Sequence, residues 1–174
     1  MLFDSSLVQG PYASPLGPLT LAATQDGLAG LWFDDQRHLP AQLLQRPGPW
    51  PVDAGHAMIS QAAAQLDDYF SGQRKTFNMP LDLSGGTAFQ QVVWRALLAL
   101  PWGTSTSYAR ISMLIGKPSA VRAVGTAIGR NPISIVVPCH RVLGGTGALT
   151  GYAGGLARKQ ALLELEGVLQ ASLV

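Results

Sequence analysis

The chain has 174 residues and a single cysteine, Cys139, set in Pro138-Cys139-His140-Arg141 directly after the β-branched run Ile133-Ser134-Ile135-Val136-Val137. A lone cysteine after an apolar run is most often a small buried hydrophobe. Its neighbours here argue for chemistry. Pro138 holds Val137 extended and ends strand pairing, so Cys139 opens a turn. His140 and Arg141 can lower the thiol pKa and raise its thiolate fraction. If the chain turns at this point, helped by Gly144-Gly145, Cys139 and His140 can cooperate, and Glu166 can orient or polarise the imidazole. A hydrolytic cysteine enzyme needs an acyl substrate, an oxyanion hole and a water for deacylation. No separate histidine and asparagine pattern frames this thiol. A thiolate that attacks an alkyl carbon instead forms a thioether, which water does not hydrolyse under mild conditions, so such a protein acts once.

Composition limits the setting. One cysteine forms no internal disulfide and supplies no multi-cysteine zinc site, so no metal is expected. The chain is 47% hydrophobic and 13% charged, enough apolar side chain to offset the entropy of ordering. No stretch approaches a membrane span, and the opening MLFDSSLVQG lacks the basic and apolar regions of a signal peptide. A cytoplasmic protein with a reduced thiol is the expectation. The charges divide unevenly. Residues 1–84 carry four basic side chains against eight aspartates, a net of −4, whereas residues 85–174 carry eight basic against two acidic, a net of +6. A basic second half suits either a polyanionic partner or a solvated surface.

Around this chemistry the first half reads as α+β. PLTLAAT and GLAGLWF flank Gln25-Asp26-Gly27, a hairpin signal. Residues 35–55 are proline-rich and read as an irregular connection. A helix fits about 56–70 on Met58, Ala62, Leu66, Tyr69 and Phe70, ended by Ser71-Gly72. FNMPLDL, 77–83, alternates like an edge strand, and Ser84-Gly85-Gly86 marks the hinge between halves.

The second half opens with a helix over about 88–100. Thr87 and Gln90 form its capping box, and Phe89, Val92, Val93, Ala96, Leu97 and Leu100 form its core stripe. Ser107 caps a short helix, about 108–115, with Ile111, Leu114 and Ile115 on its apolar side. Gly116 suits the left-handed position after it, and Pro118 the first turn of another, about 118–129. Two short helices on a tight turn form a helix-turn-helix pattern, which many proteins use without touching DNA. In the second helix Val121, Val124 and Ile128 face the core, while Ser119, Arg122, Thr126 and Gly129, with Ala123 and Ala127 nearby, make another face. A helix that reads bases carries several long polar side chains. This face has one arginine among small residues, which suits close, sequence-tolerant approach to a backbone. Residues 144–155 are half glycine but match no nucleotide-cradling motif, and Tyr152 is their aromatic contact. A last helix, about 156–166, carries Leu156, Leu162, Leu163 and Leu165 and delivers Glu166.

PCHR at 138–141, GRNPISIVV before it and GYAGGLARKQALLELEG after it resemble the active-site region of the O6-alkylguanine-DNA alkyltransferases. FQQVVW (89–94), GTSTSY (103–108) and AVRAVGTAIGRNP (120–132) match that family in order and spacing. The resemblance covers about 85–167, and SPLGPLTLAATQDGLAGLWF (14–33) resembles the N-terminal hairpin of its bacterial members. It implies that Cys139 accepts the alkyl group, with His140 deprotonating it through a bound water, backed by Glu166. Asn131 would brace the junction between recognition helix and active-site turn. Arg122 would fill the space of an extruded guanine and Tyr108 would help rotate that nucleotide out, the second helix lying in the minor groove. Tyr152, Val142 and Tyr108 would line the pocket, Tyr108 also favouring departure of neutral guanine. Ala153 stands where some members carry serine, one hydrogen bond to the base fewer, and Ile128 lies at a variable position that shapes alkyl tolerance. Zinc, found in some members, is excluded by the cysteine count.

The expected protein is therefore α+β, with a small N-terminal sheet-plus-helix domain, 1–84, and a mainly helical DNA-binding and alkyl-acceptor domain, 85–174. Its expected function is direct, stoichiometric repair of O6-alkylguanine without a cofactor, acting as a monomer on alkylated double-stranded DNA. The rival readings are a helix-turn-helix protein whose cysteine senses alkylation or oxidation, and a thiol hydrolase.

Overall fold

The computed structural model describes residues 7–45 and 50–170. The chain divides into two compact units, Met1–Thr87 with Pro132–Ser134, and Ala88–Asn131 with Ile135–Val174. No helix among the described residues is long and apolar enough to cross a membrane.

The first unit is built on an antiparallel sheet of β1 (Val8–Ser14), β2 (Gly17–Thr24) and β3 (Gly27–Phe33). The Asp26-Gly27 turn joins β2 to β3, as the hairpin signal predicts. β1 had no such signal, because Gly10 and Pro11 interrupt its pattern. Every residue of β3 is buried. Gly30 is required there: a Cβ would stand 1.8 Å from the ring of Trp32, which folds back over it. The long connection holds a short helix, α1 (Ala41–Leu44); its residues 46–49 lie outside the described residues. A second helix, α2 (Ala57–Phe70), lies on the sheet and buries Ile59, Ala62, Gln65, Leu66 and Tyr69. Met58 and Phe70 are only half-buried, so the apolar face is turned toward Ile59.

FNMPLDL is not a strand. It makes a single bridge, Leu28 with Leu81, in which Leu28 N–H donates to Pro80 O at 3.0 Å and Asp82 N–H to Leu28 O at 2.9 Å. Two causes are visible. Pro80 has no N–H for a ladder, and both main-chain groups of Asn78 are taken by the Gln65 side chain, each at 2.8 Å. Further along the same edge of β3, Leu31 N–H donates to Pro132 O and Ser134 N–H to Leu31 O, both at 2.9 Å. Two short segments thus cover an edge that would otherwise offer unpaired backbone.

The second unit is mainly helical: α3 (Ala88–Leu98), α4 (Tyr108–Leu114), α5 (Val121–Gly129) and α6 (Leu156–Leu165), with a two-residue parallel pair of β4 (Thr106–Ser107) and β5 (Val142–Leu143). α3 stops two residues before the expected end. Val92 is 43% exposed, so the expected stripe is broken. Trp94 takes the inner place instead, with its indole N–H donating to Ala127 O at 2.8 Å. Ser107 accepts from Arg110 N–H at 3.2 Å and so caps α4 as expected. Leu114, expected inside, is 55% exposed, while Ser112 is buried with its hydroxyl on Lys117 O. Gly116 takes φ +69 after α4. Pro118 does not begin α5: it sits one residue into a turn closed by Ala120 N–H on Lys117 O at 2.9 Å, its fixed φ suiting that place. The helix begins at Val121 and buries Val124, Ala127 and Ile128.

Candidate active site

The β-branched run before Cys139 is not a strand either. Ile133 makes one bridge to β3, and residues 134–137 then turn, with Ile135 at φ +71. A β-branched side chain at positive φ is a strained exception that its surroundings must hold in place. Asn131 supplies part of that hold. Its amide donates to Val137 O at 2.8 Å and to the Cys139 sulfur at 3.1 Å. Cys139, His140 and Arg141 form one turn of 3-10 helix, so the chain does turn at the cysteine, and all three are buried.

That turn meets the end of α6. Glu166 follows the helix, with Gly167 at φ +75 closing it. His140 Nε2 lies 2.8 Å from Glu166 Oε1, and Arg141 binds the same carboxylate through Nε at 2.7 Å and a terminal nitrogen at 2.9 Å. A further Arg141 nitrogen donates to Leu100 O at 2.5 Å. Burial works against the Glu166 charge, but hydrogen bonds from His140 and Arg141 prevail and hold its pKa at about 2. The carboxylate is therefore ionised, and Nε2–H of His140 donates to it. Burial, with help from Arg141 and Lys159, pushes the imidazole pKa below its ordinary value despite Glu166. A neutral ring with its proton on Nε2 leaves a lone pair on Nδ1, which is buried and has no protein partner.

The thiol differs from expectation. Burial pushes the Cys139 pKa up, not down; the Asn131 hydrogen bond and the charge of Lys159 oppose that rise. Arg141 is committed to Glu166, so it is not the cation that acts on the sulfur. Lys159 was missed by sequence reasoning. It is fully buried on α6, and its ammonium donates to Val142 O, Thr150 O and Gly151 O at 2.5, 2.6 and 3.1 Å. A signal existed: Lys159, Leu162, Leu163 and Glu166 fall at i, i+3, i+4 and i+7, so two charged residues occupy the helix's buried face.

The other expected site residues divide into two groups. Val142, Tyr152 and Ile128 are buried, Ala153 is half-buried, and Tyr108 Oη donates to Thr150 O at 3.2 Å. Ser119, Arg122, Ala123 and Thr126 are exposed and Gly129 half-exposed; Ser119 precedes α5 in the turn. Ala127, expected near them, is buried under Trp94. Leu156 on α6, expected in the core, is 48% exposed. Two surface cavities in the first unit, of about 660 and 520 Å³, are lined by Asp34 and Asp67 respectively but by no thiol or histidine. Cys139, His140, Lys159 and Glu166 all lie in the second unit.

Residues 7–83 match the ribonuclease-like domain of 6-O-methylguanine DNA methyltransferase, and residues 88–168 its DNA binding domain. The chain is 50% identical over 153 residues to the methylated-DNA–protein-cysteine methyltransferase of Mycobacterium bovis, covering 88% of each. It is 44% identical to that of Methanosarcina barkeri over 88% of this chain and 92% of the relative. Among solved structures, Mycobacterium tuberculosis O6-methylguanine methyltransferase is similar at a TM-score of 0.81 and 47% identity, covering 96% of this chain and 97% of that one. Mycobacterium tuberculosis OGT in complex with DNA is similar at 0.81 and 48%, covering 91% and 92%. The chain belongs to the 6-O-methylguanine DNA methyltransferase family.

Proposed function

We propose that this protein repairs DNA by moving the alkyl group of an O6-alkylguanine onto Cys139, once per molecule. The observation that carries this reading is the buried series Cys139, His140 and Glu166, in which an ionised carboxylate holds a neutral imidazole with a bare Nδ1. His140 Nδ1 takes the thiol proton through a water, and Glu166 steadies the imidazolium that forms. The thiolate sulfur bonds to the alkyl carbon as the carbon–O6 bond breaks. The electron pair of that bond passes to the guanine, which leaves neutral after taking up one proton, with Tyr108 favouring that departure. The thioether is stable, so no cofactor and no regeneration step are needed. Asn131 fixes the sulfur and the main chain at Val137 relative to each other.

DNA is held by residues 85–174, whose net charge is +6. α4, its turn and α5 act as a helix-turn-helix, and the exposed face of Ser119, Arg122, Ala123, Thr126 and Gly129 lies along the minor groove of the duplex. Small side chains permit close approach, and Arg122 enters the stack as the damaged nucleotide turns out, a step that costs a few kcal/mol. Tyr108, Val142, Tyr152, Ala153 and Ile128 wall the pocket that receives the base. Residues 1–84 form the companion α+β domain. The protein acts as a cytoplasmic monomer.

Intact-protein mass decides the matter. After mixing with excess duplex containing one O6-methylguanine, the protein gains one methyl, located on Cys139, and Cys139→Ser gains none. An unchanged mass with a free thiol and tight duplex binding overturns the repair reading and leaves a sensor.

A further inference from the structure

Gln36 is buried in the first unit, yet no step of the alkyl transfer uses it. Its side-chain oxygen accepts from two donors. One is Phe33 N–H, at the end of β3, at 3.0 Å; the other is Ser134 Oγ, 98 residues along the chain, at 3.4 Å. Gln36 N–H in turn donates to Phe33 O at 3.0 Å, so the residue sits in a closed turn at the end of the strand. A buried polar group is costly unless its partners are in place, and a contact of this kind fixes the segment it reaches.

That segment leads to the acceptor. Pro132–Ser134 follow the recognition helix and lie along the edge of β3, and Ser134, also buried, is their last residue. Ile135 comes next at φ +71, a conformation that a β-branched residue keeps only when both sides hold it. Beyond it the hold is the Asn131 amide, which binds Val137 O and the Cys139 sulfur. Before it the hold is Ser134, with its N–H on Leu31 O at 2.9 Å and its hydroxyl on Gln36. If the near side lets go, the turn relaxes, and a reacting atom misplaced by about 1 Å transfers far more slowly.

We propose that Gln36 is a positioning residue for alkyl transfer: with Ser134 it pins the start of the strained Ile135 turn to the end of β3, and so sets where Cys139 stands. The inference rests on the alkyl-transfer reading. A plain structural contact would lower stability and leave the rate of each folded molecule unchanged.

Two full-length variants and their combination test this. Gln36→Met removes the acceptor at nearly constant side-chain length, and Ser134→Ala removes the donor. The readouts are duplex affinity, the single-turnover rate at saturating O6-methylguanine duplex, the rate with the free O6-methylguanine base, and iodoacetamide labelling of Cys139 without denaturant. In Gln36→Met transfer slows about fivefold, the weight of one ordinary buried hydrogen bond. The factor is the same on both substrates, and duplex affinity does not change. Ser134→Ala slows transfer about twofold, and adding it to Gln36→Met slows nothing further, because the two act through one contact. Labelling moves the other way and rises severalfold in both variants, because local opening of a loosened turn exposes a buried thiol. An unchanged transfer rate per folded molecule, unchanged labelling, or independent losses in the double variant overturns the proposal. If Gln36→Met does not fold, Ser134→Ala decides alone, and wild-type transfer and labelling in it overturn the proposal. Labelling that rises in the variants, while wild-type protein gains no methyl from the duplex, sinks the alkyl-transfer reading and leaves the pinning of the turn.

Discussion

At the scale of single residues, the site depends on holding opposite charges together in a buried place. Glu166 serves two partners at once: it holds the His140 tautomer and neutralises Arg141. Removing one member of a buried pair leaves the other uncompensated and costs about 3 to 5 kcal/mol. Glu166→Gln is therefore expected to lower stability by that amount and to slow methyl transfer, checked by urea unfolding and by single-turnover rates. The same residue shapes the acid limb of stability. Its pKa is about 2 in the fold against 4.5 ordinarily, so the unfolded chain binds the proton more readily between those values. Stability from this group is complete above pH 4.5 and is lost as pH falls toward 2, a change of about 3 kcal/mol. His140 acts in the same direction at higher pH: its folded pKa lies below 6.5, so acidification below 6.5 favours the unfolded, protonated ring. In Glu166→Gln the loss between pH 4.5 and 2 shrinks to what groups such as Asp82 contribute.

At the scale of elements, α5 shows how one short helix serves two masters. Val124, Ala127 and Ile128 are buried, and α5 packs against α3, where Trp94 donates to the Ala127 carbonyl. The opposite face, with Arg122, Ala123 and Thr126, is exposed and makes no contribution to the core. Arg122→Ala is thus expected to leave thermal unfolding unchanged within about 0.5 kcal/mol. On the role proposed for Arg122, filling the space of the extruded base, methyl transfer from duplex DNA is expected to fall at least tenfold in this variant. Transfer from a free O6-alkylguanine base, which needs no extrusion, stays at the wild-type rate. A comparison of the two substrates checks the claim, and equal losses on both would contradict it.

At the scale of the whole molecule, the partition into units does not follow a single cut in the chain. Pro132–Ser134 belong to the first unit, bonded to β3 at Leu31, and Ser134 Oγ donates to Gln36 Oε1 at 3.4 Å. Asn131 and Ile135, on either side, belong to the second unit. A fragment of residues 1–87 therefore lacks part of the cover on its own sheet edge. Exposed edges pair with other chains. The fragment is expected to self-associate in sedimentation measurements under conditions where the full chain sediments as one species, and an added peptide spanning 131–136 should reduce that association.

What the sequence determined by itself was the local part of the problem. The Asp26-Gly27 hairpin, the Ser107 cap and the left-handed Gly116 all rest on backbone preferences that act within a few residues. The pairing of His140 with Glu166 was readable as a possibility, because a turn at Pro138 and a helix ending near 166 follow from the same preferences. Tertiary structure decided what depends on distant partners. FNMPLDL and the run before Cys139 have strand-like side chains, yet each makes one bridge to β3 and then turns away, since Gln65 and Asn131 claim their main-chain groups. Val92 and Leu114 are apolar but exposed, because burial depends on which helices face each other and not on the period alone. The thiol's raised pKa and the burial of Lys159 were decided in the same way. Desolvation is a property of everything packed around a group, and no stretch of neighbouring residues specifies it.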